Sequence, residues 1–372
     1  MKSTANIGGH ETNLDFVRAL AVLLVVCSHL AWFFGDPHFS FFQPAILGKL
    51  GVIIFFVHSG IVNMLSIERQ VNKQGERCLF RAFMTRRCFR IYPLSIAVVA
   101  LIFFAKVPAS RLETYGAVTV GQHANVELIP SLLLVQNFLH LDQIVGPLWS
   151  LPYEIQIYCL FPIGYLVMRR FRSGKLLLFA WSLLAALDYL VAPHFARHAN
   201  VGQLITIPDL LFYLILFLPG LYAYKEMQIS QRVVGFWALP ALLALLASVW
   251  CLAYDQTKCV FVTLCLGLAL PYVRTCRVAA VNLTCGWVAK YSYGIYLLHF
   301  PAIWLAFVRL GRFPRVVQAV AFLTVTLGGS VLAYHALEHP MILIGNKAAA
   351  AIGRTKRPER IQAIAAVAGM VP

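Results

Sequence analysis

Apolar residues dominate this chain in long runs separated by short polar breaks. Runs near or above the ~17–25 residues of a bilayer-spanning helix lie at about 14–34, 47–67, 88–108, 148–168, 176–192, 206–223, 233–254, 258–273, 286–308 and 316–338. An eleventh run, 128–139, has only twelve residues and sits between Pro130 and the loop from His140 to Pro147. The pattern predicts an all-α integral membrane protein of about ten transmembrane helices plus one short re-entrant or interfacial segment. It divides the chain into an N-terminal tail (1–13), a transmembrane domain (14–340) and a basic tail (341–372). There is no Pro/Ser-rich linker, no second polar domain and no visible repeat of the transporter type.

Composition agrees. Hydrophobic residues make up 60% of the 372 positions and charged ones 12%, about half the share in a soluble domain. The net charge of +16 raises nucleic acid as a partner, but cationic residues also collect in the cytoplasmic loops of membrane proteins. Ten spans place both termini on one side. With that side cytoplasmic, 21 Lys and Arg fall there and 8 opposite, seven of the 21 in the loop 69–90. The bias accounts for the charge without nucleic acid. Arg309, Arg312 and Arg315 are the one local violation. The N-terminus lacks a cleavable signal pattern, so the first run is expected to be retained. The nine cysteines form no C-x-x-C pair and read as small buried residues rather than disulfides or metal ligands.

An ionisable side chain inside a span costs several kcal/mol unless it is paired or hydrated, so each one is a candidate. Arg18 and His29 share the first run. Eleven residues of helix leave them about 20° out of phase and ~16 Å apart. Arg18 could equally snorkel or pair with Asp15, and His29 could simply satisfy a neighbouring helix. The second run reads FFVHSGIV, with His58, Ser59 and Gly60 at mid-depth; small residues there also permit close helix packing. In RRCFRIYP, Arg87 and Arg90 stand i,i+3 at the start of a span, a fork that suits phosphate, or ordinary topology-setting charge. Glu154, in LWSLPYEIQIY, lies about one and a half turns into its span and needs a partner. Ser292, Tyr296 and His299 form an i, i+4, i+7 stripe, with Tyr293 off it. Glu338 closes the tenth run. The cations gather toward the cytoplasm and the His/Glu groups lie deeper, as expected where an anionic donor reaches inward to a base.

These motifs, taken in order, resemble the acyltransferase-3 family of membrane O-acyltransferases. LDFVRALAVLLVVCSH carries the Arg–ten residues–His spacing, and GVIIFFVHSG is similar to G-V-x-x-F-F-x-x-S-G. RRCFRIYP is similar to R-x-x-R-I-x-P and LWSLPYE to W-S-L-x-x-E, with SYGIYLLH and LEHP following. The likeness covers about 14–340. It implies a multi-pass protein of the inner (cytoplasmic) membrane that uses acetyl-CoA as co-substrate, with no permanently bound cofactor and no metal. It implies His29 as the catalytic residue, with Arg18, Arg87 and Arg90 serving the CoA or its path. Beside it, Glu154 could orient an imidazole or bind sugar hydroxyls, and His299, at a similar depth on another span, could be the base instead. His58, Ser59, Trp149, Ser150 and Tyr296 are then expected on the acceptor side, a glycan or lipid-linked oligosaccharide. His58 departs from the pattern, where an apolar residue is expected. The chain resembles the stand-alone exopolysaccharide and nodulation-type members. A proton-coupled secondary transporter, or an inactive scaffold of the same fold, would share the buried His and Glu; a transporter should show repeat symmetry and a scaffold should lack the intact Arg18, His29 and Glu154.

Overall fold

The structure, a computed structural model, describes residues 11–35, 46–107, 109–112, 118–121, 125–139, 141–171, 174–191, 207–252 and 256–354. Residues 1–10, His140, Arg172, Arg197 and most of the basic tail (355–372) lie outside them. Helices α1 (Glu11–Phe33), α2 (Leu47–Gln74) and α3 (Leu79–Phe104) come first. A hairpin follows, β1 (Ala109–Leu112) and β2 (Val118–Gly121), antiparallel with Ala109 opposite Gly121. Next come α4 (Asn125–Leu133), a 3₁₀ turn Gln136–Leu139, a second 3₁₀ turn Gly146–Trp149, α5 (Leu151–Tyr158) and α6 (Phe161–Met168). Then α7 (Lys175–Val191), α8 (Ile207–Met227), α9 (Ala238–Leu252) and α10 (Gln256–Ala269) lead to α11 (Ala279–Ile303), which continues as a π-helical stretch, Trp304–Arg309. The last helices, α12 (Arg315–Leu323), α13 (Gly329–Ala333) and α14 (His339–Arg354), are joined by π segments into one rod.

Among the described residues, six helices are long and apolar enough to cross a membrane, and α5 with α6 makes a seventh if that pair, bent by 46°, counts as one. The described residues thus account for six or seven of the ten expected spans. The fifth, seventh and eighth apolar runs do form helices, α7, α9 and α10, but of 17, 15 and 14 residues. All three border positions outside the described residues, 192–206 and 253–255. The rod Arg315–Ile352 has 38 residues and spans ~57 Å, so the final helix runs well past residue 340. The all-α expectation also misses the hairpin, whose β2 begins Val118-Thr119-Val120, a β-branched run that favours strand. The expected interfacial segment 128–139 is α4 and its following 3₁₀ turn.

Helix α2 is the central pillar, with 83% of its apolar window buried, packed against α1, α8 and α10. Its crossing with α8 is backbone against backbone: a Cβ on Gly60 would meet the Phe217 carbonyl oxygen at 2.8 Å, and one on Gly220 would strike the Val57 carbonyl. Dispersion between closely approaching backbones replaces the hydrophobic drive that lipid cannot supply. The α5–α6 break falls at Cys159–Leu160, just before Pro162, which has no N–H to continue the ladder. The cysteines are all free; Cys259 and Cys276 are buried, Cys27 is exposed and the rest lie between, so only two fit the expected buried role.

Candidate active site

Helices α1 and α11 run side by side, and the polar stripe of α11 meets the polar face of α1. Arg18 Nε donates to Ser292 Oγ at 2.6 Å, and its guanidinium lies 5.5 Å over the Phe55 ring. Toward the other end of the same helix pair, His29 Nδ1 and His299 Nε2 are 2.9 Å apart. Between them on α11, Tyr296 donates to the Pro147 carbonyl and bonds Ser150 at 2.9 Å. Because the tyrosine proton goes to a carbonyl, Ser150 Oγ is the donor in the second bond. The i, i+4, i+7 spacing thus builds one seam that ties α1 and α11 to the 146–150 turn.

The His pair has a defined proton order. His299 is fully buried, and its Nδ1 lies 3.0 Å from the Ile295 carbonyl. A carbonyl only accepts, so Nδ1 carries the hydrogen and, in the neutral ring, Nε2 has the lone pair. His29 must then donate from Nδ1; its hydrogen bond to the Val25 backbone goes to a carbonyl, which only accepts and so shares the same Nδ1–H, leaving His29 Nε2 with its lone pair. His299 spends both ring atoms on orientation; His29 keeps one for chemistry. The partner of His29 is therefore His299 and not Glu154.

Glu154 anchors a separate network. Its Oε1 accepts from Ser59 Oγ at 2.9 Å and, in a very short bond, from Tyr158. Asn63 donates to the Ser59 carbonyl at 2.7 Å and to Ser59 Oγ at 3.0 Å. Arg87 lies between the Phe83 and Tyr158 rings, 5.2 and 5.8 Å from their centroids. It is buried, with Nε unpartnered, which corrects the expectation of a charge at the start of a helix. Since α3 begins at Leu79, Arg87 stands more than two turns inside it. Arg90 is half-buried.

Two connected cavities join these groups. An outer vestibule of about 770 Å³ is rimmed by Arg69, Lys73, Arg86, Arg87 and Arg90, with Asp15 as its acidic residue. It narrows at Arg18, His58, Arg87 and Arg90 into an inner cavity of about 80 Å³ that also touches Ser59, Ser150, Glu154, Tyr158, Tyr293 and Tyr296. His58, 3% exposed with Nδ1 unpartnered, lies at the throat. The inner cavity ends on α1 at Val25, one helical turn or ~6 Å short of His29. Of the expected site residues, Arg18, His58, Ser59, Arg87, Arg90, Ser150, Glu154 and Tyr296 line this path, and His29 with His299 stands just beyond it. Trp149 does not; it lies against Tyr213, with ring centroids 6.2 Å apart. Glu338 is buried at the last π segment, within the field of Arg90 and Arg18. Asn63, Tyr158 and Tyr293 were not anticipated, although Asn63 and Tyr158 stand i+4 from Ser59 and Glu154, the spacing that brings side chains together on a helix. Among the described residues, no group of three His, Cys, Asp or Glu side chains is placed to hold a metal ion.

Several known proteins are similar to this chain. Acyltransferase MdmB of Streptomyces mycarofaciens is 30% identical over 175 residues, 44% of this chain and 41% of that protein. Nodulation protein 10 of Rhizobium leguminosarum bv. viciae is 22% identical over 324 residues, 80% of this chain and 84% of that protein. O-acetyltransferase OatA of Staphylococcus aureus is 25% identical over 379 aligned positions, 92% of this chain but 59% of that protein. No solved structure matches. The Acyltransferase domain family matches residues 11–335, which span the whole Arg18–His29–Glu154–His299 arrangement; the chain belongs to this acyltransferase-3 family.

Proposed function

We propose that this protein is a membrane-bound O-acyltransferase that moves an acetyl group from cytoplasmic acetyl-CoA to a hydroxyl of a cell-surface or exopolysaccharide sugar. The observation that carries the reading is the proton order of the His pair beside a cavity whose mouth is cationic. The vestibule arginines and Lys73 suit the phosphates of a nucleotide thioester. The acyl-pantetheine arm would thread the throat at Arg18 and His58, directed along α1 toward His29. The acceptor hydroxyl gives its proton to His29 Nε2 as its oxygen attacks the thioester carbonyl. A C–O bond forms, the C–S bond breaks, and the imidazolium returns the proton to the departing CoA thiolate. Such general-base help is worth typically 10²–10⁴-fold. Glu154, Ser59 and Ser150 are placed to accept from or donate to sugar hydroxyls.

The last turn between Val25 and His29 must open for the thioester to arrive, so donor binding is expected to widen the inner cavity. The test is transfer of labelled acetyl from acetyl-CoA to glycan by the protein in nanodiscs, with glycan analysis of a deletion strain. A lost O-acetyl group in the strain and labelled glycan in vitro are expected. No change in glycan acetylation, with ion-driven uptake instead, would overturn the reading.

A further inference from the structure

The loop after α11 carries Arg309, Arg312 and Arg315, all exposed, and the donor path has no use for them. Their position in the fold is well defined. Arg315 lies 5.8 Å over the ring of Phe34, at the end of α1 just past His29. Arg309 lies 5.7 Å over Trp304. The vestibule opens at the other end of α1, at Leu14 and Asp15. Twenty residues of helix separate the two clusters by ~30 Å, the thickness of a hydrocarbon core. They therefore stand at opposite interfaces, with the His pair much nearer the arginine loop.

The loop is pre-set. Gln318, 1% exposed, donates from Nε2 to the carbonyls of Gly311 and Phe313 at 3.2 and 2.8 Å, and its Oε1 accepts from Arg315 at 2.9 Å. A buried amide thus holds the turn and one guanidinium together. Around the cations the surface is apolar: Phe313 is 53% exposed and Val316 74%. Guanidinium groups beside exposed hydrocarbon, one of them held by Gln318, match a molecule with a phosphate at the interface and a tail in the bilayer. Cations on this side also run against the charge bias of the rest of the chain.

We infer that the Arg309–Arg315 loop binds the phosphate of a lipid-linked acceptor and so presents its sugar hydroxyl to His29 from the face opposite the donor. This rests on the acyltransferase reading and names the acceptor class: a glycan carried on a lipid phosphate. Bulk anionic phospholipid has the same headgroup chemistry, so the experiment must separate the two.

The intact protein in neutral-lipid nanodiscs is titrated with a long-chain polyprenyl phosphate, with the matching polyprenol, and with phosphatidylglycerol. Wild type and R309Q/R312Q/R315Q are compared, with acetyl-CoA binding and thermal transition as controls. The wild type should bind the polyprenyl phosphate well above the polyprenol and the phosphatidylglycerol. The triple variant should lose that affinity by about tenfold or more, as loss of charge-assisted contacts implies, while acetyl-CoA binding is unchanged. If the triple variant accumulates poorly, Arg312→Gln alone should show a smaller loss in the same direction. Unchanged polyprenyl-phosphate affinity in the variants overturns the inference. Equal affinity and equal loss for phosphatidylglycerol also overturn it, assigning the loop to bulk lipid. Binding is read without transfer, so intact phosphate-dependent binding with no acetylation by the wild type would refute the acyltransferase reading alone.

Discussion

The His29–His299 pair makes a quantitative distinction possible between a base and the group that orients it. In the structure His299 has no free lone pair: Nδ1–H is given to Ile295 and Nε2 receives His29. Replacing it by Gln keeps an acceptor near His29 Nδ1 and removes only the quality of that hydrogen bond. A hydrogen bond contributes a net ~0.5–1.5 kcal/mol, so His299→Gln is expected to lower kcat about 2- to 13-fold. His299→Ala removes that acceptor altogether and leaves the His29 proton only the Val25 carbonyl, so the loss should reach at least the upper end of that range, about 13-fold. His29→Ala removes the base itself and should cost at least about 10²-fold. The expected order is therefore His29→Ala worst, His299→Ala next and His299→Gln mildest. Acetyl transfer to glycan is measured in membranes with matched protein levels, alongside acetyl-CoA binding, which all three should retain. If His299→Gln is as inactive as His29→Ala, or if His29→Ala keeps more than about a tenth of wild-type transfer, the pair does not hold its protons in this order.

Arg87 and Arg90 should separate in a way their motif alone does not reveal. Arg87→Ala removes a buried cation from between two rings, so thermal stability in detergent should fall, by up to ~2 kcal/mol for the cation–π contacts alone, together with donor affinity. Arg90→Ala should raise the KM for acetyl-CoA with little loss of stability; equal stability for both variants would contradict the deeper burial of Arg87. Ser59→Ala leaves Glu154 and Tyr158 in contact but deletes a neutral donor to a carboxylate, so a modest thermal shift and a larger fall in acceptor kcat/KM are expected, checked by substrate titration. Gly60→Leu should abolish accumulation of folded protein, because the added side chain meets α8 backbone; normal yield on size-exclusion chromatography would show that the helices can part.

Much of this site was legible because lipid makes polarity conspicuous. Arg18, Glu154, Ser292, Tyr296 and His299 stand out against apolar runs, and the 3.6-residue period alone put the last three on one seam. The pairings were not legible. Nothing in the spacing says that His29 meets His299 or that Glu154 meets Ser59, since those contacts join residues 270 and 95 positions apart. Trp149 faces Tyr213 rather than the inner cavity, a direction that its place beside Ser150 in the motif does not give. Ten apolar runs predict ten spans, whereas the described residues form six long apolar helices, because run length counts residues and crossing requires unbroken helix.

The buried charges also constrain how the site works. A guanidinium and a carboxylate so deep in a helical bundle are tolerable only beside water or each other, and Arg18, Arg87 and Glu154 all border the inner cavity that opens to the vestibule. That opening gives water a route to the cations; on the proposed reading that water would be exchanged for phosphate. The His pair is set apart from this water by the turn from Val25 to His29. On the proposed reaction, a base kept away from that side would protect a thioester from hydrolysis until an acceptor hydroxyl is in place. The sign of the design can be read from a side reaction. Val25→Gly, which thins the barrier on α1, should raise hydrolysis of acetyl-CoA in the absence of acceptor, by a route that His29→Ala in the same chain removes. Hydrolysis at the wild-type rate in Val25→Gly would mean that the barrier lies elsewhere.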